Sequence, residues 1–197
     1  NVPGFRATTG TYVGKNVITG ASTAHTGIWI NDASNGSYVF NNTVNTGTEG
    51  GISNFSSSAT VVQGNVVSNF LEAGLFIWNA DLNYPRATDN VLQNNYVFDN
   101  PANGEVLVRG AANSVIAFNY LAVATPGLSA GISISSFTIP STGVFSGPAS
   151  QVEVVGNTVS NTFYTNLTTG DTTSAAYFRN RFFQAAPPAG FNLTPDG

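Results

Sequence analysis

Two glutamates share a telling offset. Glu49 and Glu72 each lie two residues before a glycine that opens an apolar run, Gly51-Ile52 and Gly74-Leu75. His25, the one histidine, holds the same offset before Gly27-Ile28-Trp29-Ile30. If these runs are neighbouring strands, the two carboxylates sit roughly 5 Å apart. Carboxylates that close split their pKa values and can act as an acid and nucleophile pair. Glu49 and Glu72 are the catalytic candidates on this ground. The plainer reading makes all three solvated turn residues, and the sequence favours it.

Other chemistry is scarce. Gly127-Leu128-Ser129-Ala130-Gly131 matches a nucleophile elbow, but that elbow needs a strand, a turn and a helix. A Gly-Ile-Ser-Ile strand follows instead. No phosphate-binding loop, HExxH or GxGxxG-plus-acid pattern occurs. The chain has no cysteine. Disulfides, cysteine-ligated zinc and thiol catalysis are excluded, and no metal or cofactor is expected. Arg179 and Arg181 flank Asn180 and read as solvation of the chain's last strands.

Bulk properties narrow the class. Of 197 residues 42% are hydrophobic and only 8% charged, with a net charge of −4. So acidic a chain carries no nucleic-acid footprint. Six Lys plus Arg give little hold on any anionic polymer. No apolar run approaches the roughly 18 residues of a membrane span. The chain opens Asn1-Val2-Pro3-Gly4, which is no signal peptide, and reads as a processed form or an excised piece.

The elements that would position these residues come from a repeat. Seven phrases align on one asparagine: YVGKNVI, YVFNNTV, VVQGNVV, VLQNNYV, VIAFNYL, EVVGNTV and AYFRNRF. The anchors are Asn16, Asn42, Asn65, Asn95, Asn119, Asn157 and Asn180. The residue three before each anchor and the residue two after it are apolar in all seven copies. The anchor and its +2 neighbour share a face by strand period. For the −3 residue to point the same way, the chain must bend just before the asparagine. Each phrase is therefore a strand, a corner and a second strand. A Gly-Ile-x-Ile run adds a third strand to most copies. No segment has helical periodicity with caps.

Anchors are spaced 26, 23, 30, 24, 38 and 23 residues apart. A base period near 23 with short strands is a β-solenoid whose coils stack about 4.8 Å apart. The two long spacings place insertions after the Gly-Ile-x-Ile strand, at Ala80–Thr88 and Phe137–Ser150. Insertions in solenoids gather on one face, often the binding face. Here they flank the coil carrying Arg109. Outward aromatics Trp29, Phe55, Phe76 and Trp78, with Asp81, Tyr84 and Arg86 on one wall, would form a shallow cleft suited to a sugar polymer. Packing against a neighbouring subunit is the competing use of such aromatics.

The asparagine phrase and the Gly-Ile-x-Ile strand resemble the right-handed parallel β-helix of the pectate-lyase-like superfamily, over about residues 11–183. The resemblance implies an all-β right-handed parallel β-helix of about seven coils, with the anchor asparagines stacked as an amide ladder. It also implies polysaccharide lyases, hydrolases, epimerases and phage tailspikes as relatives. None of their catalytic patterns carries over: the sole lysine is Lys15, no acidic calcium cluster occurs, and the polygalacturonase elements are missing. Such proteins generally carry an amphipathic helix over the first coil, and residues 1–11 are too short for a substantial one.

The expected organisation is an extension at 1–11, the β-helix at 12–183 and a Pro/Gly-rich tail at 184–197. Short length and bare ends point to an extracellular or cell- or virion-surface subunit that self-associates as a homo-oligomer or polymer, in a structural or adhesive role. The alternative is a polysaccharide-binding or polysaccharide-processing domain that uses Trp29, Phe76, Trp78, Asp81, Tyr84, Arg86 and Arg109.

Overall fold

The structure, a computed structural model, describes residues 9–20, 23, 25–31, 33–79, 86–100, 104–122, 130–136, 138–139, 144–145, 147–160, 164–169 and 173–183. The expected terminal extension and tail lie almost wholly outside them.

Each asparagine phrase folds as a corner between two short strands. In the third coil Val61–Gln63 leads through Gly64-Asn65 into Val66–Phe70. The bend is made by the residue just before the anchor. Lys15, Asn41, Gly64, Asn94, Phe118, Gly156 and Arg179 all have φ between 53° and 66°. One left-handed residue reverses the side-chain alternation. That is how the −3 residue and the asparagine come to point inward together. Its own N–H is not lost, because it donates to the next coil, as Asn41 does to the Gln63 carbonyl at 3.1 Å.

Three parallel sheets result. The first stacks Tyr12–Gly14, Tyr38–Phe40, Val61–Gln63, Val91–Gln93, Val115–Ala117, Ser150–Val155 and Thr173–Phe178. The second stacks Val17–Thr19, Thr43–Gly47, Val66–Phe70, Tyr96–Phe98, Tyr120–Ala122, Thr158–Ser160 and Arg181–Phe183. The third stacks Ile28–Ile30, Gly50–Phe55, Ala73–Trp78, Val106–Arg109, Ala130–Ser135 and Tyr164–Thr169. Every neighbouring pair is parallel, one strand per coil, and no described residue is helical. The described residues form a parallel β-helix.

The core is the set of inward columns. Val39, Val62, Leu92, Ile116 and Val154 line one wall, and Val44, Val67, Val97, Leu121 and Val159 a second; all are at most 1% exposed. Ile52, Leu75, Val106 and Ile132 close the third. Glycine opens this third strand for a spatial reason. A Cβ on Gly51 would collide with the Val67 side chain and lie 2.7 Å from the Gly74 carbonyl. Val13 and Ile18 of the first coil pack on the core but are only partly buried.

The ladder runs unbroken through all seven coils. The backbone N–H and the side-chain Nδ2 of each anchor both donate to Oδ1 of the next, as Asn65 does to Asn95 at 2.9 and 3.0 Å. The same pattern links Asn16 to Asn42, Asn95 to Asn119 and Asn157 to Asn180. Nδ2 also reaches back to a carbonyl of an earlier coil: Asn95 donates to the Val62 carbonyl at 2.9 Å.

Three features escaped the sequence pattern. Tyr164–Thr169 is a third-sheet strand in a coil with no recognisable Gly-Ile run. Within the longer insertion, Thr138–Ile139 pairs antiparallel with Val144–Phe145. Asn54 takes a core position between Ile30 and Ile77. Its Nδ2 donates to Asn90 Oδ1 at 2.9 Å, so part of that buried amide is satisfied.

The ladder can be tested by position. Asn95→Ala leaves the buried Asn65 N–H without its acceptor and removes the side-chain bonds to Asn65 Nδ2, the Val62 carbonyl and Asn119 Oδ1, while the backbone N–H of residue 95 still reaches Asn119 Oδ1. The expected cost is about 2–4 kcal/mol, since a buried group left unpaired costs about 1–3 kcal/mol and each other lost hydrogen bond about 1 kcal/mol. Asn16→Ala, at the exposed start, should cost about 1 kcal/mol or less. Urea denaturation of the two variants measures the difference.

Candidate functional site

The outer face of the third sheet gathers most of the candidate residues. Register puts Trp29 beside Ser53, Ser53 beside Phe76 and Phe76 beside Leu107. A second outward column runs Phe55, Trp78, Arg109. Small Ser53 sits between two large rings, and Phe55 leans over that step. Its ring centroid lies 5.2 Å from that of Trp29, 5.9 Å from that of Phe76 and 4.6 Å from that of Trp78. Phe76 and Trp78 stack at 5.3 Å with their planes 8° apart. Trp29 is 53% exposed, whereas Phe76 is 2% exposed. Phe76 therefore points outward as expected, but it supports the aromatic platform from beneath and does not offer its own face.

Arg109 explains part of that burial. It leaves the end of its strand and lies back across the sheet. Its guanidinium carbon is 5.6 Å from the Phe76 ring centroid, and Nη1 donates to Glu72 Oε1 at 3.2 Å. The alkyl stem supplies apolar cover and the head reaches the opposite edge.

At that edge the two glutamates meet as their shared offset implied. The Glu72 N–H donates to the Glu49 carbonyl at 3.3 Å, and the Glu49 N–H to that of His25 at 2.9 Å. The side chains are held differently. Glu49 faces His25 Nδ1 at 2.9 Å and accepts from Thr26 Oγ1 at 3.2 Å. Glu72 is more deeply set. Burial pushes its carboxyl above the usual range, Arg109 pulls against that rise, and the charge of Glu49 adds to it. The row His25, Glu49, Glu72, Arg109 thus borders the aromatic platform, with one carboxyl pinned by two partners and the other raised.

Other candidates fall elsewhere. Arg86 donates from Nε to the Gly110 carbonyl at 2.7 Å and from Nη2 to that of Ala111 at 3.3 Å. Its guanidinium secures the turn after the Arg109 strand. Asp81 and Tyr84, and Ser129 of the elbow-like phrase, lie outside the described residues. Lys15 sits at a corner between the first two sheets, away from this face. Among the described residues no three His, Cys, Asp or Glu side chains come together as a metal site.

Sequence reasoning missed Glu105. It precedes Val106, which pairs with Leu75, so it stands in the glycine column of Gly74. The carboxyl is fully buried, and the Asn100 side-chain and backbone N–H groups donate to its two oxygens at 2.6 and 3.2 Å. Burial raises it to about 8, against those bonds. A charged residue in a glycine column is the signal that could have found it.

Comparison with known proteins fits this architecture. Residues 5–125 match the family model described as periplasmic copper-binding protein (NosD). No curated protein sequence is a match. Among solved structures, the periplasmic alginate epimerase AlgG superposes with a TM-score of 0.71 at 18% identity, covering 91% of this chain and 41% of that one. The Dettilon tailspike protein gives 0.64 at 16% identity, over 86% and 38%. The Azotobacter vinelandii mannuronan C-5 epimerase AlgE4 A-module gives 0.60 at 20% identity, over 91% and 57%. At such identities the likeness is one of fold. The chain spans about two fifths of the AlgG and tailspike chains.

Glu105 sets a pH dependence whose sign follows from its raised pKa. Below about pH 4.5 the group is protonated in both the folded and the unfolded chain. Between there and about pH 8 only the unfolded chain ionises, so stability falls as pH rises, then levels off. Glu105→Gln should flatten that fall, read as melting temperature against pH for both proteins.

Proposed function

This chain belongs to the NosD family, and from that premise we propose that it is a β-helix module that binds a polysaccharide along the outer face of its third sheet. The observation that carries this reading is the platform of Trp29, Phe55 and Trp78 beside the row His25, Glu49, Glu72 and Arg109. Flat apolar rings suit the faces of sugar rings, and a few convergent polar groups suit their hydroxyls. One guanidinium against two carboxyls gives the row no cationic surplus. That favours a neutral or weakly charged stretch of polymer over a densely anionic one. The solved relatives named for alginate and the tailspike support a polysaccharide partner by likeness of fold. The family's periplasmic description supports a place in the cell envelope or outside it.

Affinity electrophoresis tests this with two probes, alginate and a neutral glucan. Retardation by the glucan at least equal to that by alginate is expected. Trp29→Ala should weaken binding about tenfold, equivalent to about 1.4 kcal/mol, without altering stability. No retardation by either polymer would remove the reading.

A catalytic role for Glu72 and Glu49 is a second reading, favoured by their unequal environments. A raised Glu72 would be the acid, with Glu49, held by His25 and Thr26, as the second carboxyl of the pair. Glu72→Gln that binds polymer but has lost any glycosidic cleavage shown by the parent chain would support it. Cleavage unchanged in that variant would sink it.

Copper, which the family description names, does not fit the residues present. Copper(I) favours thiolate and thioether ligands, and copper(II) favours imidazole nitrogen. The chain has no cysteine, no methionine and one histidine, and that histidine faces Glu49. After copper loading and desalting, elemental analysis should find no stoichiometric copper on the chain.

A further inference from the structure

The charges of the described chain are sorted unevenly. His25, Glu49, Glu72, Arg86 and Arg109 all serve the third sheet or its borders. By contrast, the eight strands that coils two to five contribute to the first two sheets contain no Asp, Glu, Lys or Arg, and neither do the four corners between them. What they present instead is aromatic. Tyr96 is 43%, Phe118 60% and Tyr120 45% exposed. Tyr96 lies 5.2 Å from Tyr120 and 4.8 Å from Phe98 between ring centroids.

Phe118 is the residue least explained by an isolated chain. It occupies the left-handed corner column, with φ at 54°. Between the end coils the other members of that column are Asn41, Gly64, Asn94 and Gly156, types that tolerate this conformation. A bulky side chain there is strained. Its ring lies over Gly156, where a Cβ would come within 2.5 Å of it, and it is still more than half exposed. A strained backbone that holds an apolar ring in water is unfavourable twice over, and burying the ring against a partner offsets both terms.

We propose that this aromatic corner, centred on Phe118, Tyr120 and Tyr96, is the interface of a two-fold homodimer. The partner fits a second copy for two reasons. A two-fold axis sets a patch against itself, so any charge near the axis would meet its like. The strands and corners of coils two to five carry none; the charges nearest the aromatic cluster, Asp99, Glu153, Arg179 and Arg181, lie at its rim or in the last two coils. Its extent fits a small interface. Four coils at about 4.8 Å and seven residues at about 3.3 Å give a flat footprint of roughly 440 Å², about half of the about 800 Å² that each partner gives to a standard interface, as suits a weak dimer. The third sheet stays open in both copies. The dimer would therefore offer two polymer-binding faces and bind with avidity.

Sedimentation equilibrium up to about 100 µM tests the dimer. The variants are Phe118→Asn and Tyr120→Thr, which place at each site a residue type that the same column already uses at Asn41, Asn94, Thr43 and Thr158. The parent chain should dimerise, and each variant should raise the dissociation constant at least about tenfold. The melting temperature of monomeric Phe118→Asn should be unchanged or higher, which separates loss of interface from loss of fold. Trp29→Ala should dimerise like the parent, which keeps this test apart from polymer binding. A parent chain that stays monomeric overturns the proposal, whether residues 184–197 or a polysaccharide occupies the patch instead. Variants that dimerise like the parent overturn it as well.

Discussion

The hydrogen bonds between successive anchor asparagines are the constraint on which the rest depends. An amide inside an apolar core is costly unless its donors and acceptor are paired. Here each Oδ1 accepts from both N–H groups of the preceding anchor, and each interior Nδ2 also meets a carbonyl. Pairing works only if every coil places an asparagine at the same height and angle. That requirement forces the left-handed residue before each anchor. It also sets the register of the two flanking sheets. The ladder has a direction as well, with donors toward the end of the chain and acceptors toward its start.

A register held at one corner leaves freedom elsewhere. Anchor spacings differ by up to 15 residues, yet the strands next to each anchor pair without slippage. In the sequence the extra residues follow the third-sheet strands Ala73–Trp78 and Ala130–Ser135, away from the anchor corner. Chemistry follows the same division. The first two sheets present aliphatic and aromatic residues with amides and hydroxyls and are almost free of charge. The third sheet, beside the insertions, carries the aromatic platform and the ion-paired row.

That row shows how stacking converts a one-dimensional spacing into a site. Glu49 and Glu72 are 23 residues apart in sequence and one coil apart in space. Their environments differ because Arg109 reaches across the sheet from the next coil to pair with Glu72, and Glu49 lies one coil further away. A raised carboxyl beside a pinned one is a product of that crossing, not of the glutamates themselves.

The repeat, the inward columns, the corner, the amide ladder and the shared edge of Glu49 and Glu72 were all legible in the sequence. Strand alternation and the burial of apolar side chains are local rules, and one asparagine at a fixed offset needs only counting. The strand Tyr164–Thr169 was not legible, because its Tyr-Thr-Asn-Leu-Thr-Thr composition lacks an apolar signal and its pairing comes from the one neighbouring strand Ala130–Ser135. Nor could the sequence tell that Phe76 would be buried while Trp29 stayed exposed, that Arg86 would turn its guanidinium to backbone carbonyls, or that Glu105 would lie in the core. Period determines which face a residue takes. Only the tertiary structure decided what lies over that face, because the reach of a side chain across coils depends on its length, direction and neighbours.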